Sequence, residues 1–192
     1  MRHMANMLAS RVTAVSAGKL PQLTELPMPF EIERKFLVRG DAWRNLATER
    51  YHIRQAYLAS QGKASIRVRI RDKDGAALTI KSRTPKRRRL ELEYPIPVLE
   101  AEALIALRQG SVIEKDRNIV PHLANTWEVD VFAGENAGLV IAEVELQDEN
   151  ERVVLPPWAG PEVTGRAAYY NSSLAVHPFT GWPAEERVAL GR

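Results

Sequence analysis

Apolar and polar side chains alternate along eight short segments of the chain, and this alternation predicts a protein built mainly from β-strands. Successive side chains of a strand point to opposite faces, so each segment would present one apolar and one charged face. Short turns such as Asp72-Lys73-Asp74-Gly75 separate several segments, which favours antiparallel pairing. We expect strands over residues 31–38, 51–58, 65–71, 77–83, 90–96, 111–120, 127–132 and 139–146.

Two other segments have the spacing of helices. Asp41 can cap a short helix over residues 42–48. A second helix is predicted over residues 98–108, ending at Gln109-Gly110. These helices do not alternate with the strands, which argues against a doubly wound fold and favours a mainly β (α+β) domain over residues 30–178. The buried stripe of the second helix is predicted to contain Leu99, Ala103, Ala106 and Leu107.

Composition supports one globular domain and excludes several kinds of binding site. The chain has 192 residues, of which 45% are hydrophobic, enough for a substantial core. It contains no cysteine, which excludes disulfides and thiolate zinc sites, and its four histidines lack a ligand-like spacing. The formal net charge is only +3, so any anion binding has to come from a local arrangement of charges.

Both ends of the chain lack the periodicity of the middle. Residues 1–29 are rich in Ala, Ser, Pro and Met, and basic residues interrupt their apolar runs. We therefore expect a mobile tail rather than a signal peptide or membrane helix, and a cytoplasmic protein. Residues 179–192 are expected to trail off the domain or to pack on it as a short arm.

The charged faces of the predicted strands are sorted by sign from one strand to the next. Guanidinium groups suit phosphate, and carboxylates suit hard divalent cations. Eight strands can close into a barrel, with these charges either on a salt-bridged outer surface or lining a wet interior that fits a polyanion and a metal. The cationic rows hold Arg67, Arg69 and Lys81, and the acidic rows hold Glu91 and Glu93, Glu128 and Asp130, and Glu143 and Glu145. The first strand combines Glu31, Glu33 and Lys35 on its charged face. Arg34 is the one polar member of its apolar face.

The first strand, Glu31-Ile32-Glu33-Arg34-Lys35-Phe36-Leu37, resembles the ExExK signature of the CYTH superfamily, also called triphosphate tunnel metalloenzymes. Further blocks resemble the family in the family's order, and the resemblance spans about residues 30–175. It is strongest to short bacterial inorganic triphosphatases, and it implies a closed, antiparallel, eight-stranded tunnel-like barrel with a charged interior and a few flanking helices. The blocks include Arg54-Gln55-Ala56-Tyr57-Leu58, Ile66-Arg67-Val68-Arg69, Glu114-Lys115-Asp116-Arg117, Glu128-Val129-Asp130, Ala142-Glu143-Val144-Glu145 and Glu162-Val163-Thr164.

The resemblance also implies a site and a reaction. Lys35 and Tyr57 would be catalytic, because they resemble a pair that orients or activates the attacking water. The implied reaction is Mg²⁺- or Mn²⁺-dependent cleavage of a terminal phosphoanhydride, with inorganic tripolyphosphate giving pyrophosphate and phosphate. The implied metal ligands are Glu31, Glu33, Asp130, Glu143 and Glu145, and the implied substrate ligands are Arg67, Arg69, Lys81, Lys115 and Arg117.

Several alternatives stay open at this point. The same superfamily includes class IV-type adenylate cyclases and thiamine triphosphatases. A non-catalytic nucleic-acid binder could instead use the basic run Lys86–Arg89, although a solvated loop is the simpler reading. Arg54 could face outward, and strand parity does not decide which face Tyr57 is on. Arg83 and Arg89 could be phosphate ligands or solvated charges. The sequence also leaves open whether the protein forms a homodimer.

Overall fold

The computed structural model describes residues 32–60, 62–72, 75–82, 91–148 and 150–188, and its centre is one antiparallel sheet. Glu31, Arg83 and the Lys86–Arg89 run, together with residues 1–29 and 189–192, lie outside this description. The described strands are β1 (Ile32–Val38), β2 (Glu49–Ala59), β3 (Ala64–Arg71), β4 (Gly75–Ser82), β5 (Glu91–Ile96), β6 (Gln109–His122), β7 (Asn125–Phe132), β8 (Val140–Leu146) and β9 (Ala159–Glu162).

The eight predicted strands are confirmed, and the mainly β class with them. β9 was missed because it is short and contains Gly160 and Pro161, which weaken any strand signal. The sheet order is β5-β4-β3-β2-β6-β7-β8-β1-β9. Among the strands described, no pairing joins β5 to β9, so the sheet has two edges and the predicted closure by hydrogen bonds is not present. The alternation of apolar and polar residues predicts which way side chains point, but it does not predict whether the two edge strands of a sheet pair with each other.

The sheet nevertheless curls around one of its faces. Leu37 on β1 and Tyr57 on β2 belong to the same buried cluster although β6, β7 and β8 lie between their strands in the sheet order. Side chains on that inner face can therefore meet across the concavity. Twist and curl of this kind are the normal response of a long antiparallel sheet to the handedness of its strands.

Helices and turns cover the outer face and one end. The described helices are α1 (Val98–Ala106), α2 (Asn171–Leu174) and α3 (Ala184–Val188), and 3₁₀ turns span Ala42–Leu46, Gly134–Asn136, Ala167–Tyr169 and Phe179–Gly181. The predicted helix over residues 42–48 is thus a single 3₁₀ segment anchored by buried Trp43. Asp41 does not cap it with its side chain; its carboxylate accepts a hydrogen bond from Arg44 Nε at 2.6 Å instead.

Helix α1 is confirmed, but its predicted buried stripe is wrong. Leu99 is 85% exposed and Leu107 is 72% exposed, whereas Ala101 and Ile105 are buried. Ala101 and Ile105 pack on Ala56 of the outer face of the sheet. Apolar residues occur all around this short helix, so helical periodicity could not decide which side faces the sheet.

The chain after β9 closes one end of the concavity. Phe179 is buried, and the ring of Trp182 packs edge-on against Tyr169 and Phe179, with centroids 5.3 and 5.2 Å away. The start of β6 is tied to this segment by a hydrogen bond from Ser111 N to Ala175 O of 2.7 Å. Gly110 allows the approach, because a Cβ there would lie 2.3 Å from that carbonyl oxygen. Within the parts of the chain described, no helix has the length and hydrophobicity needed to cross a membrane.

Candidate active site

Backbone pairing brings the charged side chains onto the inner face of the sheet. Residues directly opposite each other in antiparallel strands project to the same side, and so do alternate residues of one strand. Lys35 pairs with Glu143, and Tyr57 pairs with Arg67. The sequence left open whether these charges lie on the outer surface or line the interior. In the structure they lie on the inner, concave face. The predicted site residues on this face are Glu33, Lys35, Tyr57, Arg67, Arg69, Lys81, Lys115, Arg117, Asp130, Glu143 and Glu145.

A dense ion-pair network occupies the part of this face formed by β1, β6, β7 and β8. Lys35 Nζ lies 2.5 Å from Glu143 Oε1 and 3.0 Å from Glu33 Oε2. Arg117 donates from Nε and Nη2 to the two carboxylate oxygens of Asp130, each at 2.7 Å. Its Nη2 also lies 3.0 Å from Glu143 Oε2, so one carboxylate links the lysine and the arginine. These contacts make a continuous chain of alternating charge across four strands.

The network fixes the charge states of its members. Burial opposes the charge of Lys35, but Glu143 and Glu33 outweigh it and raise the pKa of its ammonium group. Burial likewise opposes the charge of Glu143, but Lys35, Lys115 and Arg117 outweigh it and hold the pKa of that carboxyl far below its usual range. At neutral pH, Lys35 is thus an ammonium and Glu143 a carboxylate.

Asp130 is the most enclosed carboxylate of the site. It is 0% exposed, and it pairs with Lys115 as well as with Arg117. The side chain of Lys115 is only 2% exposed, and burial lowers the pKa of its ammonium group in spite of Asp130. Asp130 therefore acts in this arrangement as a counter-ion for two cations.

The predicted metal ligands are not gathered into one preformed metal centre. Across the described residues, no group of three or more acidic or histidine side chains is arranged to hold a metal ion. Asp130 faces Lys115 and Arg117, while Glu33 and Glu145 are directly opposite each other on β1 and β8. Like charges facing each other across two strands repel. Exposed Glu145 and its partner Glu33 therefore form the pair whose chemistry best fits a divalent cation.

The other wall of the concavity, formed by β3, β4 and β5, is cationic and is backed by acidic residues. Arg67 Nη2 donates to Thr79 Oγ1 at 3.1 Å, and Arg69 Nη2 lies 3.1 Å from Glu93 Oε2. Lys81 Nζ lies 2.7 Å from Glu91 Oε2. Burial and then the neighbouring Arg67 cation lower the pKa of Arg69. Crowding of buried positive charge on this wall favours an anionic ligand.

Two positions that the sequence left ambiguous are placed by the structure. Tyr57 is on the inner face, 8% exposed, and burial raises the pKa of its phenol, so the hydroxyl keeps its proton at neutral pH. Arg54 faces outward, where its Nη1 donates to Glu102 of α1 at 2.7 Å. Arg54 is therefore a structural contact between sheet and helix.

Among the inner-face residues that sequence reasoning left out of the predicted site are Glu128 and Arg71. Glu128 pairs with Arg117, and it was noted as part of an acidic row but not as a site residue. Arg71 lies with its guanidinium carbon 3.6 Å from the ring centroid of Tyr51, which pairs with Arg117 in the strand register. Arg71 has the same strand parity as Arg67 and Arg69, so that signal was available in the sequence.

Comparison with known proteins gives consistent matches over most of the chain. The model of the CYTH domain matches residues 29–175. An inorganic triphosphatase from Acetivibrio thermocellus is 48% identical over 150 residues, which cover 78% of this chain and 95% of the relative. An inorganic triphosphatase from Nitrosomonas europaea is 35% identical over 151 residues, covering 76% and 97% respectively. A solved structure of an inorganic triphosphatase, 33% identical, superposes with a TM-score of 0.59 and covers 78% of this chain and 96% of that one.

Proposed function

The chain belongs to the CYTH domain family, and on that premise we propose that it is a metal-dependent phosphohydrolase that cleaves inorganic tripolyphosphate to pyrophosphate and phosphate. The names of its relatives support this substrate. The observation that carries the proposal is a concave face with the Lys35–Glu143–Arg117 network on one side and Arg67 and Arg69 on the other. Hydrolysis of a phosphoanhydride needs positioning and charge stabilisation more than covalent chemistry, and this face offers both.

In this proposal the cationic wall binds the polyphosphate. Arg67, Arg69 and Lys81 are on one face, and guanidinium groups can donate paired hydrogen bonds to phosphate oxygens. Burial and then the Arg67 cation lower the pKa of Arg69, and a polyanion bound beside Arg69 would oppose both effects. Lys115 and Arg117, which pair with Asp130, would add two further donors in the centre of the concavity.

Lys35 and Tyr57 orient the attacking water rather than remove its proton. The raised pKa of Lys35 keeps it an ammonium, and the raised pKa of Tyr57 keeps its hydroxyl protonated. Both groups can donate hydrogen bonds to oxygen atoms, while the Glu143 carboxylate can accept one from water. Both donors project from the inner face of the sheet, where they would contact the same water.

The donor set on β1 and β8 fits a hard divalent cation, Mg²⁺ or Mn²⁺, because it consists of carboxylate oxygens. Glu33 and Glu145 would hold the ion, with Glu143 beside them bound to Lys35 and Arg117, and Glu31 is expected to join them from the start of the first strand. Asp130 would support this site by neutralising Lys115 and Arg117. A bound divalent ion would supply charge neutralisation at the phosphate oxygens.

The direct test is phosphate release from tripolyphosphate, ATP, thiamine triphosphate and pyrophosphate in parallel, with Mg²⁺, with Mn²⁺ and with chelator. We expect release from tripolyphosphate that stops with chelator. Lys35→Ala should abolish it, whereas Arg54→Ala, an outward-facing control, should not. Cyclic AMP from ATP would assign the chain to the cyclase branch instead. Absence of release from every substrate, with salt-sensitive RNA retention, would favour a polyanion binder.

A further inference from the structure

The backbone of Lys35 is held from the side of the sheet edge by residues that follow β9. Lys35 N donates to Thr164 Oγ1 at 3.0 Å, and Val163 N donates to Lys35 O at 2.8 Å. Pairing between β1 and β9 shifts register between Phe36 and Val38, and β9 ends at Glu162. A threonine hydroxyl therefore takes the place that a backbone carbonyl would have in a regular ladder.

The direction of these hydrogen bonds follows from the single hydrogen of the Thr164 hydroxyl. Glu162 Oε1 lies 2.7 Å from Thr164 Oγ1, whereas Lys35 O lies 3.5 Å from it. The hydroxyl hydrogen goes to the nearer, negatively charged acceptor, which leaves a lone pair for the Lys35 amide. Glu162 thus sets the orientation that lets Thr164 act as an acceptor.

Glu162 is itself held by Arg34 on the outer face of β1. Arg34 Nε and Nη2 donate to its two carboxylate oxygens at 3.0 and 2.6 Å, and the guanidinium lies 5.0 Å from the centroid of the Phe36 ring. Arg34 is the one polar member of the otherwise apolar face of this strand. The ion pair with Glu162 explains why this outer face carries the positive charge of Arg34, which takes no part in the inner-face network.

We propose that Arg34, Glu162 and Thr164 form a positioning clamp that fixes the Lys35 ammonium group for hydrolysis. The inference rests on the proposed function, because it assumes that Lys35 acts in that reaction. The side chain of Lys35 is 8% exposed and its Nζ bridges two carboxylates, so a shift of the backbone moves the ammonium relative to both. Misplacement by about 1 Å can lower a rate on the order of 100-fold.

The test compares Thr164→Val, which removes the hydroxyl, with Thr164→Ser, which keeps it. The matched control is Thr48→Val, because the Thr48 hydroxyl also hydrogen-bonds the backbone of a strand, donating to Ile119 O of β6 at 3.3 Å. We expect Thr164→Val to lower kcat for tripolyphosphate about 10-fold with KM changed less than about twofold. Thr164→Ser should recover most of kcat, and Thr48→Val should change neither constant. Glu162→Gln provides a second variant with an intermediate fall in kcat.

Amide hydrogen exchange at Lys35, measured by NMR, gives a readout that does not depend on turnover. We expect exchange at Lys35 to be about 10-fold faster in Thr164→Val and unchanged in Thr48→Val. Wild-type kcat and wild-type Lys35 exchange in Thr164→Val would overturn the clamp, and so would an equal fall of kcat in Thr48→Val. A wild-type protein without phosphate release would refute the proposed function, and the Lys35 exchange rates would still decide whether the clamp exists.

Discussion

Replacing Asp130 by Asn is expected to destabilise the folded protein by about 3–5 kcal/mol, because it removes the negative partner of a buried ion pair and leaves the positive one buried. Asp130 is 0% exposed and pairs with Lys115 and Arg117, whose side chains are 2% and 11% exposed. Arg117 keeps its contacts to Glu143 and Glu128, so the loss falls mainly on Lys115. An amide of nearly the same shape leaves that buried ammonium without its ion-pair partner.

The measurement is urea and thermal unfolding of metal-free protein, followed by circular dichroism. A loss of that size corresponds to a fall in Tm of about 6–20 °C for a chain of this length. Tripolyphosphate should stabilise the variant more than the wild type, since a bound polyanion supplies negative charge near Lys115. Asp41→Asn is the control; its 76% exposed carboxylate pairs with Arg44, and its loss should cost less than about 0.5 kcal/mol.

A destabilisation of less than about 1 kcal/mol in Asp130→Asn, with native circular dichroism, would refute this reasoning. It would mean that Asp130 is not the essential counter-ion of Lys115. If the main role of Asp130 were to bind metal, the variant would instead lose the stabilisation that Mg²⁺ gives to the wild-type protein. The two roles are therefore separated by measuring each protein with and without Mg²⁺.

Three further predictions concern single side chains. Lys35→Ala should lower turnover at least about 100-fold while the far-ultraviolet spectrum stays native; turnover near the wild-type rate would remove Lys35 from the mechanism. Arg69→Ala should raise KM for tripolyphosphate about 10-fold or more, because charge-assisted hydrogen bonds are lost, and KM equal to that of Arg54→Ala would contradict this. A hydrogen bond from Arg34 holds the pKa of Glu162 below its usual value, so this pair stabilises the fold above about pH 4.3 and loses that effect as the pH falls. The stability difference between wild type and Glu162→Gln, followed by urea titration from pH 6 to 3, should therefore shrink as the pH falls, and a constant difference would show that the pair does not contribute.

The strands and their two-sided character could be predicted from the sequence, because strand parity is a local property with a period of two residues. Knowing that Glu33 and Lys35 share a face requires only their spacing, and the same holds for Arg67 and Arg69. The family signature then indicated which face is the functional one. The buried side of α1 could not be predicted in the same way, because its apolar residues are distributed around the whole helix.

Pairing between distant segments was decided only by the tertiary structure. Lys35 meets Glu143, 108 residues away, and Thr164, 129 residues away, and no local period contains either contact. The roles of the carboxylates also depended on these contacts, since Asp130 became a buried counter-ion while Glu33 and Glu145 came to face each other. The sequence by itself determined which side chains are available on each face; the curl and register of the sheet decided which of them meet, because electrostatic and hydrogen-bond energies depend on distances that only the folded chain sets.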